Sequence, residues 1–210
     1  MNVAGTRVSL AELALPIAAM MAVVAASNVL VQYPVELFGL QEILTWGAFS
    51  YPAAFLVNDL TNRRFGPAVT RRVVYVGFAL AVVLSVWLAT PRIALASGTA
   101  FLVGQLLDIG VFNRLRRMAW WRAPLAGSLL GSVIDTTIFF SMAFAGDEAM
   151  SGAVTYGLFG SSVTVPLWVG LAFFDFLVKV SCALLALLPY GAVMGRMRPW
   201  QDAAPRDAVA

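Results

Sequence analysis

The sequence predicts an all-α, polytopic membrane helical bundle of about six transmembrane helices, with both termini on the cytoplasmic side. Three observations predict it. Of the 210 residues, 60% are hydrophobic and only 12% are charged, against roughly 25% charged in an ordinary soluble domain, and the mean hydropathy is +0.83. The apolar residues fall in runs of roughly 20, the length needed to cross a hydrocarbon core about 30 Å thick. Arginines gather at alternate ends of these runs, the pattern of the positive-inside rule. The length suits one domain, residues 1–210, with short loops.

The first run spans Leu10 to Val31. Arg7, the apolar stretch to Val24 and Ala25-Ala26-Ser27 resemble a cleavable signal peptide, but the run is long enough to cross. Ala14, Ala18, Ala22 and Ala26 form a small-residue ladder on it, which allows close contact within the chain, with a second copy or with a docking partner. The second run is Ile43 to Asn62. Within it Gly47 relaxes the backbone and Pro52 lacks an N–H, so a kink or break is expected across Trp46–Pro52. The third and fourth runs are Val73 to Thr90 and Ile93 to Asn113, and the fifth is Ala123 to Ala145. The last lies within Val165 to Gly195, placed at 168–195. Between the fifth and last, Ala153 to Thr164 is rich in Gly, Ser and Thr and reads as an outer loop or a partly inserted segment.

Arg63, Arg64, Arg71 and Arg72 join the second and third runs. Arg114, Arg116, Arg117 and Arg122 join the fourth and fifth, Arg196, Arg198 and Arg206 follow the last, and Arg7 precedes the first. The opposite loops carry Glu36, Glu42, Asp147 and Glu148, with only Arg92 against the trend. Both termini therefore belong in the cytoplasm and the number of crossings is even. A short echo, Asp59 before Asn62-Arg63 and Asp108 before Asn113-Arg114, each followed by a proline (Pro67, Pro124), hints at repeated hairpins.

Several chemistries are excluded. The net charge of +3 comes from these topological arginines rather than from a basic face, so no nucleic-acid partner is implied. There is no histidine and one cysteine, Cys182, which removes Ser-His and Cys-His nucleophiles, disulfides and histidine- or cysteine-built metal sites. No Gly-x-x-x-x-Gly-Lys-Ser/Thr motif is present, so ATP is not handled in that way. An intramembrane aspartyl protease is disfavoured, because Asp135 follows Gly131-Ser132-Val133-Ile134 and not Gly-x-Gly. No enzymatic activity and no cofactor are expected.

The chemistry lies in the polar residues set within apolar runs. An acidic side chain at mid-membrane costs roughly 2.5–3.5 kcal/mol on insertion scales, so it must face the bundle interior or a wet cavity. Asp135 is such a residue, on a helical stripe with Ser128, Ser132 and Phe139. It is a substrate or proton group, or else a hydrogen-bonded structural carboxyl. Phe101, Gln105, Asp108 and Phe112 alternate aromatic and polar groups along one face of the fourth run, as a binding face or as packing. Asp175 and Lys179 have the i, i+4 spacing of an ion pair, structural or coupling. Asp59 and Arg63 have the same spacing near the inner surface, where an interfacial salt bridge explains them. Trp46 is either a ligand-facing ring or an interfacial anchor.

In order and spacing these segments resemble the queuosine-precursor transporter family, once named for vitamin uptake. The matching stretches are Ser27-Asn28 with Leu30-Val31-Gln32, Trp46-Gly47-Ala48-Phe49-Ser50, Asp59-Leu60-Thr61, Gly104-Gln105, Asp108 and Phe112-Asn113-Arg114-Leu115-Arg116. Trp120-Trp121, Ala123-Pro124, Ser132, Asp135-Thr136, Phe139-Phe140 and Lys179 continue the series. The likeness runs from Ser27 to about Tyr190 and lapses between Ala145 and about Leu171. The first 26 residues and the tail after Gly195 carry no signature.

The resemblance implies uptake of a queuosine precursor, 7-cyano-7-deazaguanine or a related 7-deazaguanine, across the bacterial inner membrane. Such a ligand is planar, with a guanine-like edge of N–H donors beside a carbonyl. A carboxylate accepts two parallel N–H bonds from that edge, and Gln or Asn serves the carbonyl. Asp135, Gln105 and Asn28 are therefore expected to read the edge while Trp46, Phe49 or Phe139 stacks on the ring, with Asp108 and Asp59 as further candidates. The alternative is a substrate-binding membrane subunit that docks on a separate energising ATPase complex for a vitamin-like solute.

Overall fold

The computed structural model describes residues 2, 3, 6, 7, 9–37, 44–50, 52–158 and 161–200. Glu42, Ile43 and Arg206, used above, lie outside them. Two short strands, β1 (Asn2–Val3) and β2 (Thr6–Arg7), pair ahead of the first helix.

Helix α1 (Leu10–Leu30) starts at a capping box: the Ser9 hydroxyl accepts from the Glu12 N–H at 3.2 Å, and the Glu12 carboxylate accepts from the Ser9 N–H at 3.0 Å. That reciprocal pair satisfies two donors which a helix start otherwise leaves bare. After α1 the chain doubles back, with Val35 N–H on the Leu44 carbonyl at 3.0 Å and Trp46 N–H on the Tyr33 carbonyl at 2.9 Å. It then makes one helical turn, α2 (Gly47–Ser50), before α3 (Pro52–Phe65). A Cβ at Gly47 would lie 2.8 Å from the Val31 Cα, so only glycine lets α2 close against the end of α1.

The second run is thus broken. Pro52, which has no N–H to give, opens α3 instead of interrupting a longer helix. At 14 residues α3 rises roughly 21 Å, too little to cross alone.

Helix α4 (Pro67–Leu88) begins at Pro67 rather than Val73, because Gly66 at φ 80 turns the chain sharply and Pro67 is suited to the first helical position. Thr90 caps α5 (Pro91–Leu115) through Ile93 N–H, and α6 (Arg122–Phe144) follows. The Gly/Ser/Thr-rich segment forms an antiparallel hairpin of β3 (Ala153–Leu158) and β4 (Ser161–Pro166), with Tyr156 laid on Gly170 and Phe174 of α7 (Leu167–Met194).

Among the described residues five helices are long and apolar enough to cross a membrane: α1, α4, α5, α6 and α7. Packing between α5 and α6 is intimate because small residues meet there. A Cβ on Gly104 would touch Asp135 Cβ and the Gly131 carbonyl at 3.3 Å, and one on Gly127 would strike the Asp108 carboxylate. Such close approach supplies the van der Waals contact that holds helices together in lipid, where burial of apolar area gives no drive. Met20, Val24, Val73, Val74, Phe101 and Ile109 form the core where α1, α4 and α5 meet. The faces of α4 and α7 bearing Val83, Val86, Trp87, Leu185 and Leu188 are turned outward, as lipid contact requires. Ala14, Ala18, Ala22 and Ala26 also face outward on α1.

Candidate functional site

A cavity of about 510 Å³ opens among the ends of α1, α4 and α6 and the starts of α2, α5 and α7. This is the half of the molecule opposite the arginine-rich turns between α3 and α4 and between α5 and α6. Its size falls in the range typical of small-molecule sites, roughly 300–1,000 Å³.

The polar end of the cavity is built from α6 and α7. Lys179 Nζ lies 2.6 Å from Asp135 Oδ2 and 2.6 Å from Asp175 Oδ2, and donates to the Thr136 hydroxyl at 3.0 Å. Thr136 in turn donates to Asp175 Oδ2 at 2.8 Å. The i, i+4 spacing along α7 places Asp175 under Lys179, while Asp135 arrives from α6 across the helix interface. All three ammonium protons therefore have acceptors. The cluster carries one positive and two negative charges, so its unspent capacity is as an acceptor of hydrogen bonds. Buried this deeply, each charge is tolerable only because the others are present.

Asn28 lines the same cavity from α1 and spends one amide N–H on the Val24 carbonyl at 2.9 Å. The aromatic wall is Phe139, Phe140 and Phe144 of α6, whose rings meet at centroid distances of 5.1 to 5.9 Å. Helical spacing presents successive rings to one space.

Of the residues singled out in the sequence, Asp135, Asn28, Phe139, Asp175 and Lys179 border the cavity, and others do not. Gln105, 2% exposed, is buried away from the cavity on a stretch of α5 that packs on α3, where its main-chain carbonyl accepts from Asn58 Nδ2 at 3.1 Å. Asp108 is held there too, its Oδ2 accepting from Asn58 Nδ2 at 2.6 Å. Asp59 lines a separate void of about 10 Å³ with Ser128, Ser132, Lys179 and Tyr190. Trp46 and Phe49 stand outside the cavity, 41% and 42% exposed and packed on one another at 5.8 Å. The α2 turn buries Gly47 and Ala48 instead. That position suits Trp46 as an interfacial anchor.

Thr136, Phe140 and Phe144 were not singled out for the site on their own account. Thr136 and Phe140 carried a signal all the same: they adjoin Asp135 and Phe139 in two of the matching stretches. The pairing of Asp135 with Lys179 left no trace in the spacing, since the two are on different helices.

A family model described as "Putative vitamin uptake transporter" matches residues 45–90 and 84–193. The chain is 36% identical over 199 residues to a queuosine precursor transporter of Escherichia coli (strain K12), covering 83% of each. It is 33% identical over 206 residues to a probable queuosine precursor transporter of Haemophilus influenzae, covering 82% of each. A further match, at 26% over 201 residues, is a protein of the same description from Bacillus subtilis (strain 168), with 82% of this chain and 80% of that one covered. No solved structure matches the chain.

Proposed function

Because the chain belongs to the queuosine-precursor transporter family, and is a multi-pass membrane transporter rather than an enzyme, we propose that it takes up 7-cyano-7-deazaguanine or a related 7-deazaguanine through the cavity described above. The observation that carries this reading is the acceptor-rich Asp135–Lys179–Asp175 cluster at the end of an aromatic-walled cavity. A guanine-like edge brings N–H donors, and the carboxylates of Asp135 and Asp175 have lone pairs left after serving Lys179. Asn28 serves the ligand carbonyl or a ring nitrogen, and Phe139 with Phe140 offers a face to stack on. Gln105, Asp108 and Asp59 act outside this contact, and Trp46 and Phe49 anchor the outer rim.

The arginines at the α3–α4 and α5–α6 turns and after α7 support a cytoplasmic position for that end. The cavity then faces outward across the bacterial inner membrane, as uptake requires. Helices α2 and α3 together make a sixth, broken crossing, with both termini inside. Broken helices are tolerated at membrane depth where they line a cavity, and Gly47 and Ala48 of α2 do so.

The test is queuosine content of tRNA in a strain unable to make the precursor, supplied with low external precursor. The gene restores queuosine, and Asp135→Asn abolishes the rescue with membrane levels unchanged. Full rescue by Asp135→Asn would remove this carboxylate from the site. A second reading is a binding subunit of an ATP-driven complex, favoured by the outward alanine face of α1. Copurification of an ATPase, lost on Ala18→Leu, supports it.

A further inference from the structure

Below the charged end of the cavity, α3, α5 and α6 bring a second set of polar groups together away from water. Asn58, Asp59, Gln105 and Asp108 are all at most 2% exposed. Asn58 Nδ2 donates to Asp108 Oδ2 at 2.6 Å and to the Gln105 main-chain carbonyl at 3.1 Å. Ser128 of α6 borders the same small void as Asp59, and Asp108 lies near enough to Asp59 to interact with it electrostatically. Gly127, next to Ser128, leaves the space that the Asp108 carboxyl occupies.

When these bonds are assigned, four shielded side-chain oxygens still have no donor: Asp59 Oδ1, Asp108 Oδ1, Asn58 Oδ1 and Gln105 Oε1. Buried acceptors are rarely left bare, and two adjoining carboxyls with spare oxygens are more costly still. Neighbouring guanidinium groups do not serve them. Arg116 gives its Nη2 to the carbonyl and side chain of Asn62 at 2.8 and 3.1 Å and stacks on Trp200. Arg63, one turn beyond Asp59, makes no hydrogen bond to any of the four.

Two carboxylates and two carboxamide oxygens are the shell that a small, hard cation takes in place of its hydration water. We propose that the α3–α5–α6 junction binds one dehydrated alkali-metal cation of Na⁺ size, with Asp59 and Asp108 as charged ligands and Asn58 and Gln105 as neutral ones. Protonation of both carboxyls would supply at most two donors for the four bare oxygens, whereas a bound cation offers each of them a partner. The void of about 10 Å³ beside Asp59, room for roughly one water, is also bordered by Lys179. One of the charged ligands, Asp59, thus stands across a single small void from the Asp135–Lys179–Asp175 cluster. The consequence, coupling of the cation to solute uptake, rests on the transport function proposed above; the binding site itself does not.

The test uses the full-length protein purified in detergent, moved from choline chloride into NaCl at constant ionic strength. Two readouts are followed: the melting temperature, and the fluorescence of Trp120, which stacks on Tyr190 beside the void at 6.4 Å. Both should change saturably with NaCl. Asp108→Asn should abolish the response. Gln105→Leu removes one neutral ligand while filling the same space, and should raise the half-saturating NaCl about tenfold without loss of folding. Asp135→Asn should lose uptake yet keep the NaCl response, which separates failure of this site from failure of the transport reading. Equal melting in NaCl, KCl and choline chloride would overturn the proposal. So would a NaCl effect undiminished in both Asp108→Asn and Gln105→Leu, or a response to pH alone.

Discussion

Replacing Lys179 by methionine keeps the length of the side chain and removes its charge. In the native protein that ammonium, 5% exposed, sits 2.6 Å from carboxylates on two helices. Without it, Asp135 and Asp175 are left as two buried negative charges facing each other, and breaking a buried pair in this way costs roughly 3–5 kcal/mol. Asp175→Asn should behave differently. It leaves a one-to-one pair between Lys179 and Asp135 and loses mainly a charge-assisted bond, about 1.5–3 kcal/mol. The triple variant Lys179→Met/Asp135→Asn/Asp175→Asn has no charge left to strand, so it should recover most of the stability lost by Lys179→Met while remaining inactive. Detergent melting temperatures and membrane levels of the variants check this order: Lys179→Met lowest, Asp175→Asn intermediate, the triple variant close to native. If Lys179→Met melts with Asp175→Asn, or the triple variant is no better than Lys179→Met, the cluster is not held by mutual charge compensation.

Gly127→Ala should destabilise the protein by roughly 1–3 kcal/mol, because the added methyl meets the Asp108 carboxylate across the α5–α6 contact; thermal unfolding reads this directly. Phe139→Ala should raise the substrate concentration for half-maximal uptake at least about tenfold, the worth of one stacking contact. Trp46→Ala, outside the cavity, should change it by less than about twofold. Arg92 donates to the Met142 and Ala145 carbonyls at 2.9 and 2.6 Å, so Arg92→Ala should loosen the end of α6 by under about 1 kcal/mol. Faster hydrogen exchange at residues 141–145 would register it.

That last contact also explains the one arginine that runs against the topological charge pattern. Arg92 is retained on the acidic side because it caps the carboxyl end of a neighbouring helix, a role that its position in the sequence does not disclose. The broken second run was visible in advance, since Gly47 and Pro52 each alter the backbone whatever surrounds them. Its shortness was not. The polar Asn58, Asp59, Thr61 and Asn62 look like the inner end of a membrane helix until α5 and α6 are seen packed over them. Phe101, Gln105, Asp108 and Phe112 share one face of α5, which the sequence leaves open as a binding face or as packing. The tertiary structure makes it packing: Phe101 joins the core with α1 and α4, while Asp108 and Phe112 meet α3.

What the sequence determined by itself is local: helix-forming apolar runs, the break at Pro52, and the Asp175–Lys179 pair. These follow from the rise and period of a single helix and from the cost of exposing polar groups to lipid, both of which act within about 20 residues. The tertiary structure decided which carboxylate of α6 completes the pair and which aromatic rings share a cavity with it. It also decided which acceptors are left without donors at the α3–α5–α6 junction. Those outcomes depend on how helices are rotated and spaced against one another, and that is set by glycine-scale contacts such as Gly104 against Gly131 that no single helix encodes.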